Sequence, residues 1–227
     1  MYTYTIAMSN TFFSSDHHFF HSKIIENCSR PFKNIEEMNE ILISNWNKVV
    51  STKDTIYYLG DFGFGKVDSL LHIFKRLNGN KILAGIGNHD KKQVIKLPWG
   101  SIHNMLEVKV KEHIIQLCHY PFRSWNKSFH GSWALSGHTH GTLKPFGFSC
   151  DVGVDCWNYT PVNIETIEVL FSKLPRYDAT MAGAMPDGKI WQGHECMLSF
   201  KDAFFGDGTY DNIDPEIVEK KDPNEFR

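Results

Sequence analysis

The sequence predicts an α/β fold. In its first hundred residues three short apolar, β-prone runs alternate with two amphipathic segments of helical period. Each run ends in a turn rich in aspartate, asparagine or histidine. Beyond residue 100 the pattern changes to strands with few helices, so a mostly parallel sheet followed by a mostly antiparallel one, packed face to face with helices outside, is the expected arrangement.

The elements follow in order. Residues 11–15, TFFSS, read as a buried strand that delivers Asp16 to its carboxyl end. Asn34 with Glu37 three residues on marks a helix start, and Ile35, Met38, Ile41, Leu42, Trp46 and Val49 recur at helical spacing behind it. DTIYYLGD is the second strand and ends in Gly60-Asp61; residues 66–77 make a second helix, closed by Asn78-Gly79. KILAGIGNHD is the third strand, running into a polar cluster. SIHNMLEVKV and HIIQLCHYP read as neighbouring strands joined at Lys111-Glu112, and SWALSGHTHG and FSCDVGVD as two more. Residues 163–172 close the domain as a short helix or strand. The domain is therefore expected over 1–174, with 175–227 a C-terminal extension in which 188–206 could form a hairpin or flap and the last residues fray.

Composition narrows the function. The formal charge is only -2, with no basic footprint for duplex nucleic acid and no polybasic membrane anchor. No apolar run approaches the ~20 residues of a membrane span, and the amino terminus does not read as a secretion signal. Five cysteines without a CxxC pair fit reduced thiols, so a soluble cytoplasmic protein is expected. Twelve histidines are many for 227 residues.

Five of those histidines sit in ordered polar clusters: Asp16-x-His18, Gly60-Asp61, Gly87-Asn88-His89-Asp90, His119, and Gly137-His138-Thr139-His140. Two divalent first-row metals about 3.5–4 Å apart require this inventory, namely neutral imidazoles, hard oxygen donors and a carboxylate able to bridge. Residues i and i+2 of an extended chain share a side, so Asp16 pairs with His18 and His138 with His140, while His17 points away toward packing or surface. The glycines before Asp61, Asn88 and His138 let the backbone turn sharply.

In this order the five motifs resemble the calcineurin-like metallophosphoesterase superfamily, with its D-x-H, G-D, G-N-H-[DE], H and G-H-x-H signature, over about residues 11–160. RPFKNIEEMNEILISNWN, YYLGDFGFG, CHYPFRSWN and GSWALSGHTHG look more closely like small phosphoesterases of bacteria and their phages. The resemblance implies a four-layer α/β/β/α sandwich, two mixed sheets flanked by helices. It implies one metal held by Asp16, His18 and His140, a second by Asn88, His119 and His138, and Asp61 bridging both. It implies a bridging hydroxide that attacks phosphorus in line, with His89 as the non-ligating acid and Asp90 a candidate to orient it. The cofactor is then two divalent ions among manganese, iron, cobalt, nickel and zinc, with manganese favoured.

Arg123, four residues after His119, is the expected fork onto substrate phosphate, with Arg30 a weaker candidate. His21 matches a histidine of related HFGH sequences and is read as a substrate-side residue, although Phe20 replaces the glycine there. The expected partner is a small phosphate ester and no membrane. A phosphodiesterase is favoured because the G-D-x-x-D-R-G pattern of serine/threonine protein phosphatases is absent, nucleotide-type substrates being one class. The rivals are a nuclease on DNA or RNA ends, which the near-neutral charge disfavours, and a noncatalytic binding module, which would not need the complete ligand set.

Overall fold

The computed structural model describes residues 10–174. The expected extension with its 188–206 flap lies outside the described residues, as do His194 and Cys196.

Two mixed sheets carry the chain. In the first, β1 (Thr11–Ser14), β2 (Thr55–Tyr58) and β3 (Asn80–Leu83) run parallel, and β8 (Val162–Asn163) closes the edge antiparallel to β1, giving the order β3-β2-β1-β8. The second has the order β4-β5-β6-β7, built from β4 (Met105–Val110), β5 (His113–Cys118), β6 (Trp133–Ser136) and β7 (Ser149–Asp151). Only its β4–β5 hairpin is antiparallel; β5–β6 and β6–β7 are parallel. The expectation of a mostly antiparallel second half is thus corrected. Short apolar runs encode strand existence and not direction, and the loops after β5 and β6 are long enough to return the chain for parallel pairing.

The described elements also include five α-helices, α1 (Lys23–Asn27), α2 (Ile35–Val49), α3 (Val67–Arg76), α4 (Lys92–Ile95) and α5 (Ile164–Ser172), and two short 3-10 turns, Ser128–His130 and Val154–Cys156. Asn34 caps α2 through its side-chain oxygen, which accepts from Glu37 N at 2.9 Å, and Asn163 caps α5 in the same way from Thr166 N.

Alternation along the first sheet separates two cores. Phe12, Ile56 and Tyr58 face Met38, Leu42 and Trp46 of α2 and Leu70, Ile73 and Phe74 of α3. Phe13, Leu59 and Val162 face Ile115, Leu117, Trp133 and Leu135 of the second sheet, with Ile167 and Phe171 of α5 in the same core. Trp46 is fully buried, so cutting it to alanine would cost about 3–5 kcal/mol. Helices α2 and α3, the first sheet and the second sheet are traced as successive layers, and α5 packs into the core that the two sheets share. No described helix is long and apolar enough to cross a membrane.

This architecture aims the carboxyl ends of β1, β2, β3, β5 and β6 at one edge, and every expected cluster begins there.

Candidate metal centre

The β1–β2 pairing continues past the strands and locks the first two clusters in register. Asp16 N donates to Gly60 O at 3.0 Å, His18 N to Asp61 O at 3.1 Å, Phe19 N to Phe62 O at 2.9 Å and Phe64 N to Phe19 O at 2.8 Å. These stretches are not extended strand. Asp16, His18, Asp61, His138 and His140 all have positive φ, between 48° and 70°, so Asp16 and His18 converge through left-handed kinks rather than by alternation. Such backbone is strained for residues other than glycine, and it clusters where surrounding contacts fix it. Phe20 adopts φ 62°, the conformation its glycine counterpart would take freely.

Gly87 and Gly137 serve close approach: a Cβ on Gly87 would collide with Asp61 Oδ1, and one on Gly137 with Asp16 Oδ2.

Three histidines present their Nε2 atoms to two carboxylates. His119 donates from Nδ1 to Leu59 O at 2.8 Å, which leaves a lone pair on Nε2. His140 uses Nδ1 on Asp155 Oδ2 at 2.7 Å, and His18 Nδ1 lies 3.3 Å from His21 Nδ1. The freed Nε2 atoms face oxygens across longer gaps. His18 Nε2 is 3.8 Å from Asp16 Oδ1 and 3.6 Å from Asp61 Oδ2; His119 Nε2 is 3.5 Å from Asp61 Oδ2; His140 Nε2 is 3.9 Å from Asp16 Oδ1. These separations exceed a hydrogen bond, yet match two donor atoms that share an ion at about 2.1 Å each. Each carboxylate has its other oxygen occupied by protein donors. Asp16 Oδ2 accepts from Ser15 Oγ and His138 N, and Asp61 Oδ1 from His89 N.

Two groups therefore have metal-holding geometry: Asp16, His18 and His140, and Asp16, Asp61 and His119. Asp16 Oδ1 and His18 Nε2 are buried polar atoms without a hydrogen-bond partner, which a cation would satisfy. Asn88 Oδ1 stands 3.0 Å from the His119 Nε2 lone pair, a contact resolved by a cation between them or by a turned amide. His138 belongs to neither group; its ring lies 5.1 Å from that of His119, and both His138 and Asn88 stand at the exposed mouth.

The electrostatics agree with the geometry. Burial pushes the Asp16 carboxyl up to about 8, holds His18 well below the usual imidazole range and lowers His119, which favours the neutral form that ligates. Burial also opposes charge on His140, but the Asp155 hydrogen bond and the Asp16 charge raise it. A dication there would restore ionised Asp16 and neutral His140 together.

Other expectations need correction. Asp90 does not orient His89: its carboxylate accepts from Asp61 N at 2.8 Å, Phe62 N at 2.9 Å and Gly87 N at 2.9 Å, so it fixes the Asp61 turn. Arg30 does not face substrate. It is buried, forks onto Asp155 at 2.8 and 2.7 Å, and holds the carbonyls of Asp16 and His17. Arg123 keeps its expected place on the loop after His119 and is exposed there. His21 sits against His18 and packs its ring 4.1 Å from Phe64. His89 stands with its ring 5.5 Å from that of His18. His17 is buried among Phe19, Trp46 and Tyr58.

Sequence reasoning missed Asp155. The chain FSCDVGVD ends in a carboxylate just as the other strands do, and that signal was legible.

No protein-family model matches the chain. The uncharacterized protein MJ1445 of Methanocaldococcus jannaschii is 35% identical over 177 residues, 74% of this chain and 94% of that protein. The Gene 66 protein of Mycobacterium phage L5 is 25% identical over 66% of this chain and 88% of its own length. Among solved structures, the protein of unknown function AQ665 from Aquifex aeolicus aligns over 72% of this chain and 100% of its own, with TM-score 0.57 and 26% identity. YfcE, a phosphoesterase from E. coli, aligns over 63% of this chain with TM-score 0.35 and 19% identity, too loose a match to transfer a reaction.

Proposed function

We propose that this chain, which belongs to one family with the Methanocaldococcus jannaschii protein MJ1445, is a metal-dependent phosphoesterase, with phosphodiesters its favoured substrates. The observation that carries this reading is the convergence of three imidazole Nε2 atoms, those of His119 and His140 with Nδ1 on an acceptor oxygen, upon Asp61 Oδ2 and Asp16 Oδ1, the latter buried without a hydrogen-bond partner.

In this reading Asp16, His18 and His140 hold one divalent ion, and Asn88, His119 and His138 a second, with Asp61 reaching both. Ions bound there supply positive charge for the phosphoryl oxygens and acidify a water. The protein does the rest. Asp155 and Leu59 O keep the ligating tautomers, Asp90 holds the Asp61 turn, and His89, whose ring belongs to neither group, hands a proton to the leaving oxygen as the bond from that oxygen to phosphorus breaks and a water oxygen bonds phosphorus. His21, beside His18 and Phe64, stands on the substrate side. Arg123, on the loop after His119, is the fork for substrate phosphate.

The test is hydrolysis of diphenyl phosphate, a diester with a poor leaving group, by protein loaded in turn with manganese, iron, cobalt, nickel or zinc. Wild type is expected to turn over, and His89→Ala to lose about 100-fold in kcat at unchanged metal content. No turnover with any metal overturns the phosphoesterase reading; full activity of the loaded variant overturns the role of His89.

A further inference from the structure

Beside the centre, on the side where His89 stands, lies a cavity of about 130 Å³ lined by Gly63, Phe64, Gly65, His89, Lys91 and Gln93. Resting on the phosphoesterase reading, we propose that this cavity is the leaving-group subsite, and that Lys91 and Gln93 select esters whose leaving alcohol carries its own anionic substituent, a carboxylate or a second phosphate.

Position is the first argument. A residue that protonates the leaving oxygen must touch it, so the rest of the leaving group extends past His89, and this cavity has His89 in its wall. The Phe64 ring tilts against His89 at 5.4 Å and gives the cavity one apolar face for the carbon skeleton. Size is the second. Pockets for whole small ligands run from about 300 Å³ upward, so this volume suits one substituent of a substrate whose phosphate sits elsewhere. Charge is the third. Lys91 supplies a cation and Gln93 an amide, and no carboxylate lines the cavity. Asp90, the neighbour of Lys91, is turned inward onto the amides of Asp61, Phe62 and Gly87. Gly65, at φ 115°, leaves the rim open: a Cβ there would meet only Phe20.

The experiment compares two diesters that differ only in the leaving alcohol, methyl phenyl phosphate and methyl 4-carboxyphenyl phosphate, using metal-loaded protein. Wild type is expected to favour the carboxylated ester in kcat/KM, and the ratio between the two esters to fall about fivefold in Lys91→Ala, to recover in Lys91→Arg, and to hold in the control Lys96→Ala on an exposed position. Calorimetric titration with methyl 4-carboxyphenylphosphonate and methyl phenylphosphonate, in which a P–C bond replaces the scissile aryl ester, reads the same preference as binding. A wild type that hydrolyses both esters without preference, or a ratio unmoved by Lys91→Ala, overturns the subsite alone. A wild type that hydrolyses neither overturns the phosphoesterase reading on which the subsite rests.

Discussion

An imidazole offers one lone pair to a cation, and the group on its other nitrogen decides which one. Behind His140 stands Asp155, itself held by the buried Arg30. Asp155→Asn should therefore weaken metal binding about 10-fold to 100-fold and cost about 3 kcal/mol of stability through the unpaired arginine, read by metal titration and thermal melts. His17 gives the opposite test, because its neighbour His18 faces the carboxylates while it faces Phe19, Trp46 and Tyr58. His17→Phe should keep the metal stoichiometry that His18→Ala loses. Burial and the nearby Arg30 hold His17 at about 3, against 6.5 for an ordinary histidine. The unfolded chain then binds the extra proton between those values, so stability rises with pH through about 3–6.5 and is flat above. Denaturation of wild type and His17→Phe across that window should differ in slope by up to about 1.4 kcal/mol per pH unit, the variant being flatter. The residue types of this site were legible in the sequence, since Asp, Asn and His recur at every strand end. Their supports were not: a carbonyl such as Leu59 O leaves no trace in a sequence, and Arg30 lies 125 residues from Asp155.

At the scale of elements, local signals were read well and non-local ones poorly. α2 was visible complete, from its Asn34 cap to Val49, because capping and period act within one segment. Replacing Asn34 by alanine should lower stability by about 1 kcal/mol, measured by urea unfolding. The parallel partners of β6 and the two-residue β8 were not visible, because strand direction is decided by contacts distant in sequence. The ligand loops show the same divide. Their residues were named from an extended-chain argument, whereas the chain kinks through left-handed conformations that the β1–β2 hydrogen bonds extend across. Gly87 is where these loops touch. Gly87→Ala should drive a methyl into Asp61 and lower metal affinity at least 10-fold, more than it lowers the melting temperature in proportion; equal metal affinity in the variant would show that Asp61 has room to move.

Within residues 10–174, two mixed sheets bring carboxyl ends of their strands to one buried, oxygen- and imidazole-rich centre. Burial of Asp16 beside neutral histidines is costly for the metal-free protein, so metal should raise the unfolding temperature, and a chelator should reverse the gain. The order of the five clusters pointed to Asp16, His18, Asp61, His119 and His140, which the structure brings together, while Asn88 and His138 stand outside both groups. The layers around it needed the structure, because helix placement outside a sheet depends on which faces the strands leave apolar. The central claim is that two divalent ions share Asp61, and anomalous diffraction from crystals grown with manganese tests it most directly. The account predicts two peaks about 3.5–4 Å apart, flanking Asp61 Oδ2, one beside His18 and His140 and the other beside His119; manganese peaks confined to sites away from these residues would contradict it.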